Sequence, residues 1–144
     1  MVELLRELGE EGEEAGDLPI AKLRQDLANP ETRHSIFVAV DSAGAIVGVL
    51  TLAEVFAVYT QGYHGVINEM YVRPAYRSAG VGASLIDAAV AFGAERGWTR
   101  IEVTAPESPR WMRSRRFYEV LGFVFTGPKL KILLPIGGGQ QSVG

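Results

Sequence analysis

A short glycine-rich segment that carries one arginine, Arg77-Ser78-Ala79-Gly80-Val81-Gly82, has the residue types that bind a diphosphate group. It lies between a strand-like run at residues 66–72 and a helix-like run. Glycine lacks a Cβ, so the backbone at both glycines can approach a ligand closely, and the first N–H groups of the helix have no partner within the helix. The arginine adds a positive charge. The sequence therefore predicts a loop whose backbone binds a diphosphate.

The spacing of this loop differs from that of two common nucleotide-binding loops. A Walker A loop needs a Lys-Ser/Thr pair after its second glycine, and a dinucleotide fingerprint needs a third small residue where this chain has Leu85. The pattern Arg-x-x-Gly-x-Gly, after a strand that ends in Tyr-Val-Arg-Pro, closely resembles the acyl-coenzyme A signature of the GNAT superfamily of N-acetyltransferases. This resemblance covers residues 67–86. The alternative is a tight loop whose glycines serve only the turn and helix packing.

A second segment, residues 117–123, resembles the Phe-Tyr-x-x-x-Gly-Phe segment of the same family. One departure lies upstream of it, because many family members have an asparagine seven residues before this tyrosine and the chain has Trp111 there. Ser114 also replaces a usual alanine. Both departures put ordinary geometry in this arm in question.

The order of secondary-structure signals predicts an α/β layered domain with a mixed sheet. The resemblance implies a GNAT-like fold with a mostly antiparallel central sheet flanked by helices. We expect a single N-acetyltransferase domain at residues 1–136 and a disordered glycine-rich tail at 137–144. The predicted strands are 36–40, 45–52 with an extension at 55–59, 66–72 after a loop at 61–65, 101–105, 123–126 and 130–134, and the main helices are 81–96 and 110–121.

The N-terminal thirty residues are predicted to be helical, since apolar residues recur there at helical spacing. The family usually begins with a strand, and this chain lacks a signal for it. A sheet without its first strand exposes unpaired backbone groups along one edge, and proteins seldom leave a long apolar edge exposed. We therefore expect a homodimer in which a partner chain covers that edge.

The composition excludes several classes of partner and site. Cysteine is absent and His34 and His64 are the only histidines, so the sequence predicts no metal site. The net charge of −3 argues against a nucleic-acid partner. Apolar runs are too short to span a membrane, and acidic residues follow Met1 where a signal peptide has basic ones. The protein is expected to be cytoplasmic.

The resemblance implies that acetyl-CoA is the co-substrate. The backbone of Met70 and Val72 would pair with the pantetheine arm, and Met70 N–H would stabilise the oxyanion of the tetrahedral intermediate. The loop would wrap the diphosphate, through Arg77, Ser78, Ala79, Gly80, Val81, Gly82 and Ala83.

Acetyl transfer to an amine also needs a base for the ammonium and an acid for the departing thiolate. Glu69 resembles the family's acidic position on the central strand, although a strand carboxylate can also serve solubility alone. Glu54 is a weaker candidate for the base. Tyr118 resembles the family's general acid, with a tyrosine packed on the core as the alternative.

The predicted function is transfer of an acetyl group from acetyl-CoA to the primary amine of a small molecule, by direct attack in a ternary complex. Tyr59, Tyr63 and His64 are candidate residues of the amine site, because their loop flanks the expected thioester. They could equally be loop aromatics that pack for stability. Two alternatives stay open: a protein N-acetyltransferase, and a non-catalytic acyl-CoA-binding module.

Overall fold

The computed structural model describes residues 20–104, 112–127 and 130–135. The chain divides into two compact units, Met1–Val103 and Thr104–Gly144. Of the N-terminal residues predicted to be helical, 20–28 are confirmed as a helix and those before residue 20 lie outside the described residues. The expected lack of a first strand and the glycine-rich tail also lie outside them, and the single domain stays a prediction. The first unit contains, in order, α1 (Ile20–Ala28), a 3-10 turn (Pro30–Thr32), β1 (His34–Val40), β2 (Ile46–Ala57), β3 (Gly62–Val72), a second 3-10 turn (Pro74–Tyr76), α2 (Val81–Glu95) and β4 (Ile101–Val103). In the second unit the described helix is α3 (Met112–Val120).

The four strands form one sheet in the order β1-β2-β3-β4. The β1–β2 and β2–β3 pairs are antiparallel, whereas β3 and β4 are parallel. The predicted hairpin between β1 and β2 is present, and its turn is closed by Asp41, whose Oδ1 accepts from the N–H groups of Ala43 and Ala45 at 2.9 Å. This arrangement confirms the mixed, mostly antiparallel sheet flanked by helices.

The loop predicted at residues 61–65 is wrong, because β3 already begins at Gly62. The two glycines of that segment indicated a loop. Gly65 is instead required by packing within a strand, which the local sequence does not show. A Cβ at Gly65 would lie 2.4 Å from the ring of Trp98, so only glycine admits the indole there. The extension of β2 beyond Leu52 is confirmed, since β2 runs to Ala57.

The closing strands predicted at 123–126 and 130–134 are also wrong, since the described residues of both segments form no strand. Apolar and β-branched residues favour strands only where a partner supplies ladder hydrogen bonds and a covered face. Here Val124 is 81% exposed and Leu130 is 91% exposed, so neither has such a cover. A short apolar run was therefore an insufficient signal.

The core is built around β2, whose residues 47–52 are all buried. One face of this strand carries Leu50 and Leu52 and is packed against α2, where the ring of Phe92 meets Phe37 edge-on at 5.5 Å. On the opposite face, Val49 packs with other apolar residues of the sheet, including Tyr71, Ile36 and Ile46. A central strand covered on both faces is expected to be continuously apolar rather than alternating.

Candidate active site

β3 continues past the end of its pairing with β4, and we call this unpaired continuation of β3 beside the end of β4 the fork. Their parallel pairing covers only Gly65–Ile67 of β3, and β4 ends at Val103. Beyond this point β3 continues to Val72, still paired with β2 on its other side. Met70 and Val72, the two residues predicted to pair with the pantetheine arm, both lie on this continuation.

A β-bulge interrupts β3 at the mouth of the fork. Thr51 on β2 faces Glu69, while the next residue, Leu52, faces Ile67, so Asn68 is an extra residue in β3. The Glu69 N–H donates to the hydroxyl of the buried Thr51 at 3.1 Å. Bulges are common next to active sites because they redirect side chains and backbone groups. The strand irregularity predicted for the oxyanion site therefore has a physical basis, and the role of Met70 stays a prediction.

Glu69 is partly buried beside this bulge. Burial raises the pKa of its carboxyl group above the ordinary value, because desolvation disfavours the charged form. A carboxylate with a raised pKa is a stronger base toward an ammonium group than an ordinary surface glutamate. The site environment therefore suits Glu69 to the predicted role.

The predicted diphosphate loop joins β3 to α2 at the open end of the fork. Its last residue before the helix, Gly80, has φ 83 and forms the helix N-cap without a side-chain hydrogen bond. The first helical hydrogen bond runs from Ser84 N–H to Gly80 O at 3.0 Å. The three N–H groups before Ser84 therefore point out of the helix end, as an anion requires. Ser78 is also held at a positive φ of 67, a strained conformation for a residue with a Cβ.

Arg77 is oriented by its own strand. Its Nε donates to Val72 O at 2.9 Å, and its guanidinium lies 5.3 Å from the centre of the Tyr71 ring. These contacts hold the positive charge at the end of β3, close in sequence to the helix N-terminus. The segment predicted from residue types is thus a structured loop with its charge in place.

Tyr118 lies on α3 in the second unit. It is only 8% exposed, and its ring packs edge-on against Phe117 at 5.3 Å and Phe123 at 5.4 Å. Burial raises its pKa to about 12, so the phenol keeps its proton at neutral and moderately alkaline pH. Its backbone carbonyl accepts from Phe123 N–H at 3.0 Å, which closes the helix end predicted at Gly122.

The three candidate amine-site residues do not form one group. Tyr59 and His64 lie together, with ring centres 6.0 Å apart. Tyr63 lies on the opposite face of the sheet, where its ring meets Phe56 edge-on at 5.3 Å and has the Arg33 guanidinium 4.6 Å above it. Residues 62–65 belong to β3, and successive side chains of a strand point to opposite faces of the sheet. Tyr63 and His64 are therefore on different faces.

A polar network around His64 was missed by sequence reasoning. His64 is 2% exposed, with Nδ1 3.2 Å from the Thr60 hydroxyl and Nε2 3.4 Å from Oε1 of Glu102. The Tyr59 hydroxyl donates to the same carboxylate at 2.9 Å, and Arg100 lies 3.6 Å from it. The register of the sheet places Glu102 and His64 on the same face as Glu69. No local signal marks Glu102, because only the β3–β4 pairing brings it to His64.

Glu54, the weaker candidate for the base, projects from the opposite face of the sheet. It accepts a hydrogen bond from the Trp98 indole at 2.6 Å and from Arg33 at 3.0 Å, and Arg96 lies 3.8 Å away. Its charge is therefore compensated by two guanidinium groups, which favours a structural role over proton abstraction from a substrate.

Two features are absent from the described residues. Within them, no group of three or more histidine, cysteine, aspartate or glutamate side chains has a geometry that could hold a metal ion. Nor do the described helices include one long and apolar enough to cross a membrane.

The fold agrees with that of known proteins that the chain resembles. A family model described as "Acetyltransferase (GNAT) family" matches residues 1–123. An acetyltransferase from Trypanosoma brucei is 26% identical, with a TM-score of 0.69 over 91% of this chain and 92% of the other. A transcriptional regulator from Bacillus halodurans C-125 is 27% identical, with a TM-score of 0.69 over 81% and 77%. An aminoglycoside acetyltransferase from an uncultured soil metagenomic sample is 22% identical, with a TM-score of 0.76 over 94% and 87%. No curated protein matches. The family model matches most of the chain's 144 residues, so the chain belongs to the GNAT acetyltransferase family.

Proposed function

We propose that this acetyl-transferring enzyme uses acetyl-CoA to acetylate the primary amine of a small molecule, by direct attack in a ternary complex. The observation that carries the proposal is the fork between β3 and β4, which leads directly into the N-terminus of α2. A strand edge beside a helix N-terminus suits a ligand that has a peptide-like arm and a diphosphate, and GNAT enzymes generally use such a ligand.

The residues at the fork fit acetyl-CoA. In the proposal, backbone groups of Met70 and Val72 bind the pantetheine arm, because they lie on the part of β3 beyond the end of β4. The diphosphate is bound by the N–H groups that precede Ser84 and by the charge of Arg77. Gly80 has no side chain between the ligand and these N–H groups, which allows a close approach.

Starting from an ammonium group, the chemistry needs two protons to leave the nitrogen and one to reach the sulfur. Glu69 takes a proton from the substrate ammonium, directly or through water, and the freed nitrogen attacks the thioester carbonyl. The C–N bond forms and the oxyanion is stabilised by Met70 N–H. The nitrogen of this adduct releases its second proton to solvent, and the C–S bond then breaks as the carbonyl reforms. Tyr118 donates to the departing thiolate. With a pKa of about 12 the phenol is protonated at neutral pH, so it first donates a hydrogen bond to the sulfur and then transfers the proton. Exchange with solvent afterwards returns a proton to Tyr118 and removes the one that Glu69 took.

The amine is proposed to bind on the face of the sheet that carries Glu69, His64 and Glu102. Two carboxylates on one face attract a cationic amine. In this proposal Tyr59 lies at the rim of the site, because it is 65% exposed and hydrogen-bonded to Glu102. Tyr63 contributes from the opposite face only if the substrate reaches around the β2–β3 turn.

A protein N-acetyltransferase is the second candidate. It is favoured by the likeness in fold to a ribosomal-protein-alanine N-acetyltransferase from Brucella melitensis, with a TM-score of 0.61. The small-molecule proposal is supported by similar folds at higher TM-scores, among them two aminoglycoside acetyltransferases at 0.76.

A cytoplasmic location and the absence of a nucleic-acid partner stay predictions from composition.

An assay of thiol release from acetyl-CoA with a panel of amines and peptides tests the proposal. We expect saturable turnover with at least one small primary amine and much slower turnover with N-terminal peptides of ribosomal proteins. Faster turnover with peptides would select the protein acetyltransferase. Binding of acetyl-CoA without turnover of any acceptor would select the non-catalytic module.

A further inference from the structure

A cavity of about 400 Å³ lies at the end of α2 opposite to the diphosphate loop. It is lined by residues of β1, β2 and the C-terminal end of α2, including Arg33, His34, Phe92 and Arg96. The diphosphate loop meets α2 at Val81, fourteen residues of helix before Glu95. At 1.5 Å per residue the two ends are roughly 20 Å apart, so this cavity is separate from the proposed diphosphate site. It is also separate from Glu69, because Glu54 in the cavity lining lies on the opposite face of the sheet. Its volume is within the range of roughly 300–1,000 Å³ for small-molecule sites.

The lining of the cavity has one more cation than anion. Arg33 and Arg96 supply two guanidinium groups, and Glu54 supplies one carboxylate. Glu54 is already bonded to Arg33 at 3.0 Å and to the Trp98 indole at 2.6 Å, whereas the 3.8 Å between Arg96 and Glu54 is too long for a hydrogen bond. Burial also lowers the pKa of His34, which keeps this imidazole neutral at pH 7. The net charge facing the cavity is therefore +1.

Arg33 is held in this position by an unusual backbone conformation. Its φ is 51, in the left-handed region that residues with a Cβ seldom adopt, and its carbonyl accepts from Glu54 N–H at 2.9 Å. The guanidinium lies over the ring of Tyr63. Strained residues are often found where a side chain has to be held in a fixed orientation for a ligand. Arg33 is thus held by its backbone hydrogen bond and by its contact with the Tyr63 ring. A guanidinium has five N–H donors, so the bond to Glu54 leaves other donors of Arg33 for a ligand.

The remaining wall is aromatic. Phe92 and Trp98 both line the cavity and meet edge-on, with ring centres 5.6 Å apart. Arg96 lies 4.4 Å above the centre of the Phe92 ring. An aromatic wall next to a guanidinium with free donors suits a flat apolar group that ends in an anion.

We infer that this cavity is a second binding site, for a small monoanionic carboxylate with an aromatic body. The carboxylate binds to the Arg96 and Arg33 guanidinium groups, and the ring lies against Phe92 and Trp98. A monoanion matches the surplus of one positive charge, and the planar fork of arginine matches a carboxylate in a bidentate manner. The inference does not depend on the acetyl-transfer chemistry.

The experiment uses Trp98 as the reporter. The chain has two tryptophans, so the Trp111→Phe substitution leaves Trp98, which lines the cavity, as the only tryptophan. Benzoate is the probe, benzamide is its neutral analogue of the same shape, and inorganic phosphate is an anion without a ring. We expect saturable quenching of Trp98 fluorescence by benzoate, with affinity at least tenfold above that of benzamide and of phosphate. Equal affinities for benzoate and benzamide, tighter binding of phosphate, or no saturation by benzoate would each overturn the inference.

Two variants and one competition assay locate the site. Arg96→Gln and Arg33→Gln should each weaken benzoate binding at least tenfold, while Arg24→Gln, at an exposed position on α1 outside the cavity lining, should leave it unchanged. Circular dichroism melts establish that each variant is folded. Saturating acetyl-CoA should not change the affinity for benzoate. Unchanged affinity in folded Arg96→Gln, or competition between benzoate and acetyl-CoA, would show that the carboxylate does not bind in this cavity.

Discussion

The Glu69 backbone N–H donates to the Thr51 hydroxyl at 3.1 Å, and this bond fixes the bulge of β3 at the point where β4 ends. Thr51 is 3% exposed, so water does not compete for the bond. Because the bond uses the backbone of Glu69, a change to its side chain leaves the bulge in place. The proposed base can therefore be tested without disturbing the strand that carries it.

Glu69→Gln should lower kcat/KM for the amine by about 10²-fold, which is within the usual range for loss of a general base. The wild-type pH–rate profile should rise with pH as the Glu69 carboxyl group loses its proton, with an apparent pKa above the ordinary value of about 4.3. The variant should lack this rise. Unchanged kcat/KM would assign the base to another group.

The same variant should differ from wild type in stability. A pKa raised by burial means that the folded protein favours protonated Glu69. The stability associated with this proton is fully present below the unfolded-state pKa and is lost as pH rises through the folded-state pKa. Thermal melts at pH 7 should therefore show Glu69→Gln to be more stable than wild type, and the difference should shrink in acid. A variant less stable than wild type at pH 7 would show that burial does not destabilise the Glu69 carboxylate.

Tyr118→Phe should lower kcat by about 10²-fold and leave acetyl-CoA affinity nearly unchanged, because the hydroxyl acts on the departing thiolate. With the pKa raised to about 12, the wild-type profile should show no loss of activity from Tyr118 ionisation below about pH 10. Single-turnover kinetics and calorimetry separate the two effects. A wild-type rate in the variant would mean that water protonates the thiolate.

Gly82→Val should weaken acetyl-CoA binding by about tenfold, which corresponds to about 1.4 kcal/mol. Gly82 lies in the first turn of α2, and its φ is not positive, so a side chain there does not strain the backbone. The loss would report blocked access to the helix N-terminus. Ala88→Val, at an exposed position of the same helix, is the control. Equal affinity of both variants, measured by calorimetry, would remove the diphosphate site from the proposal.

Gly93→Ala should destabilise the protein although alanine is the better helix former by about 1 kcal/mol. An added Cβ at Gly93 would lie 2.6 Å from the ring of Trp98, and overpacking of this kind costs about 1–3 kcal/mol. Urea denaturation measures the net loss. Trp98→Phe in the Gly93→Ala background should recover part of it, and strict additivity of the two changes would rule out the contact as the cause.

The homodimer stays a prediction, and the structure specifies the edge concerned. In the described sheet β1 is the first strand, and its Val38 and Val40 are 45% and 58% exposed. A strand edge with apolar side chains is usually covered. Light scattering at micromolar concentration should give twice the chain mass of 15.6 kDa. A mass of 15.6 kDa at every concentration tested would exclude the dimer.

The sequence by itself determined the elements whose signals are local. The β1–β2 hairpin followed from turn residues next to Asp41, and the diphosphate loop from glycines placed before a helix. Both depend on backbone conformation within a few residues, which side-chain type controls directly. The family resemblance at residues 67–86 and 117–123 then identified Glu69 and Tyr118 as candidates.

The tertiary structure decided what depends on residues far apart in the chain. Gly65 was interpreted as a loop glycine, and only the position of Trp98 shows why a strand contains it. Glu102 joins His64 because β4 pairs with β3 for three residues and no more. The 123–126 and 130–134 segments had strand-like composition, yet a strand also needs a partner edge. Pairing and burial are properties of the folded sheet, so residue type and spacing alone could not supply them.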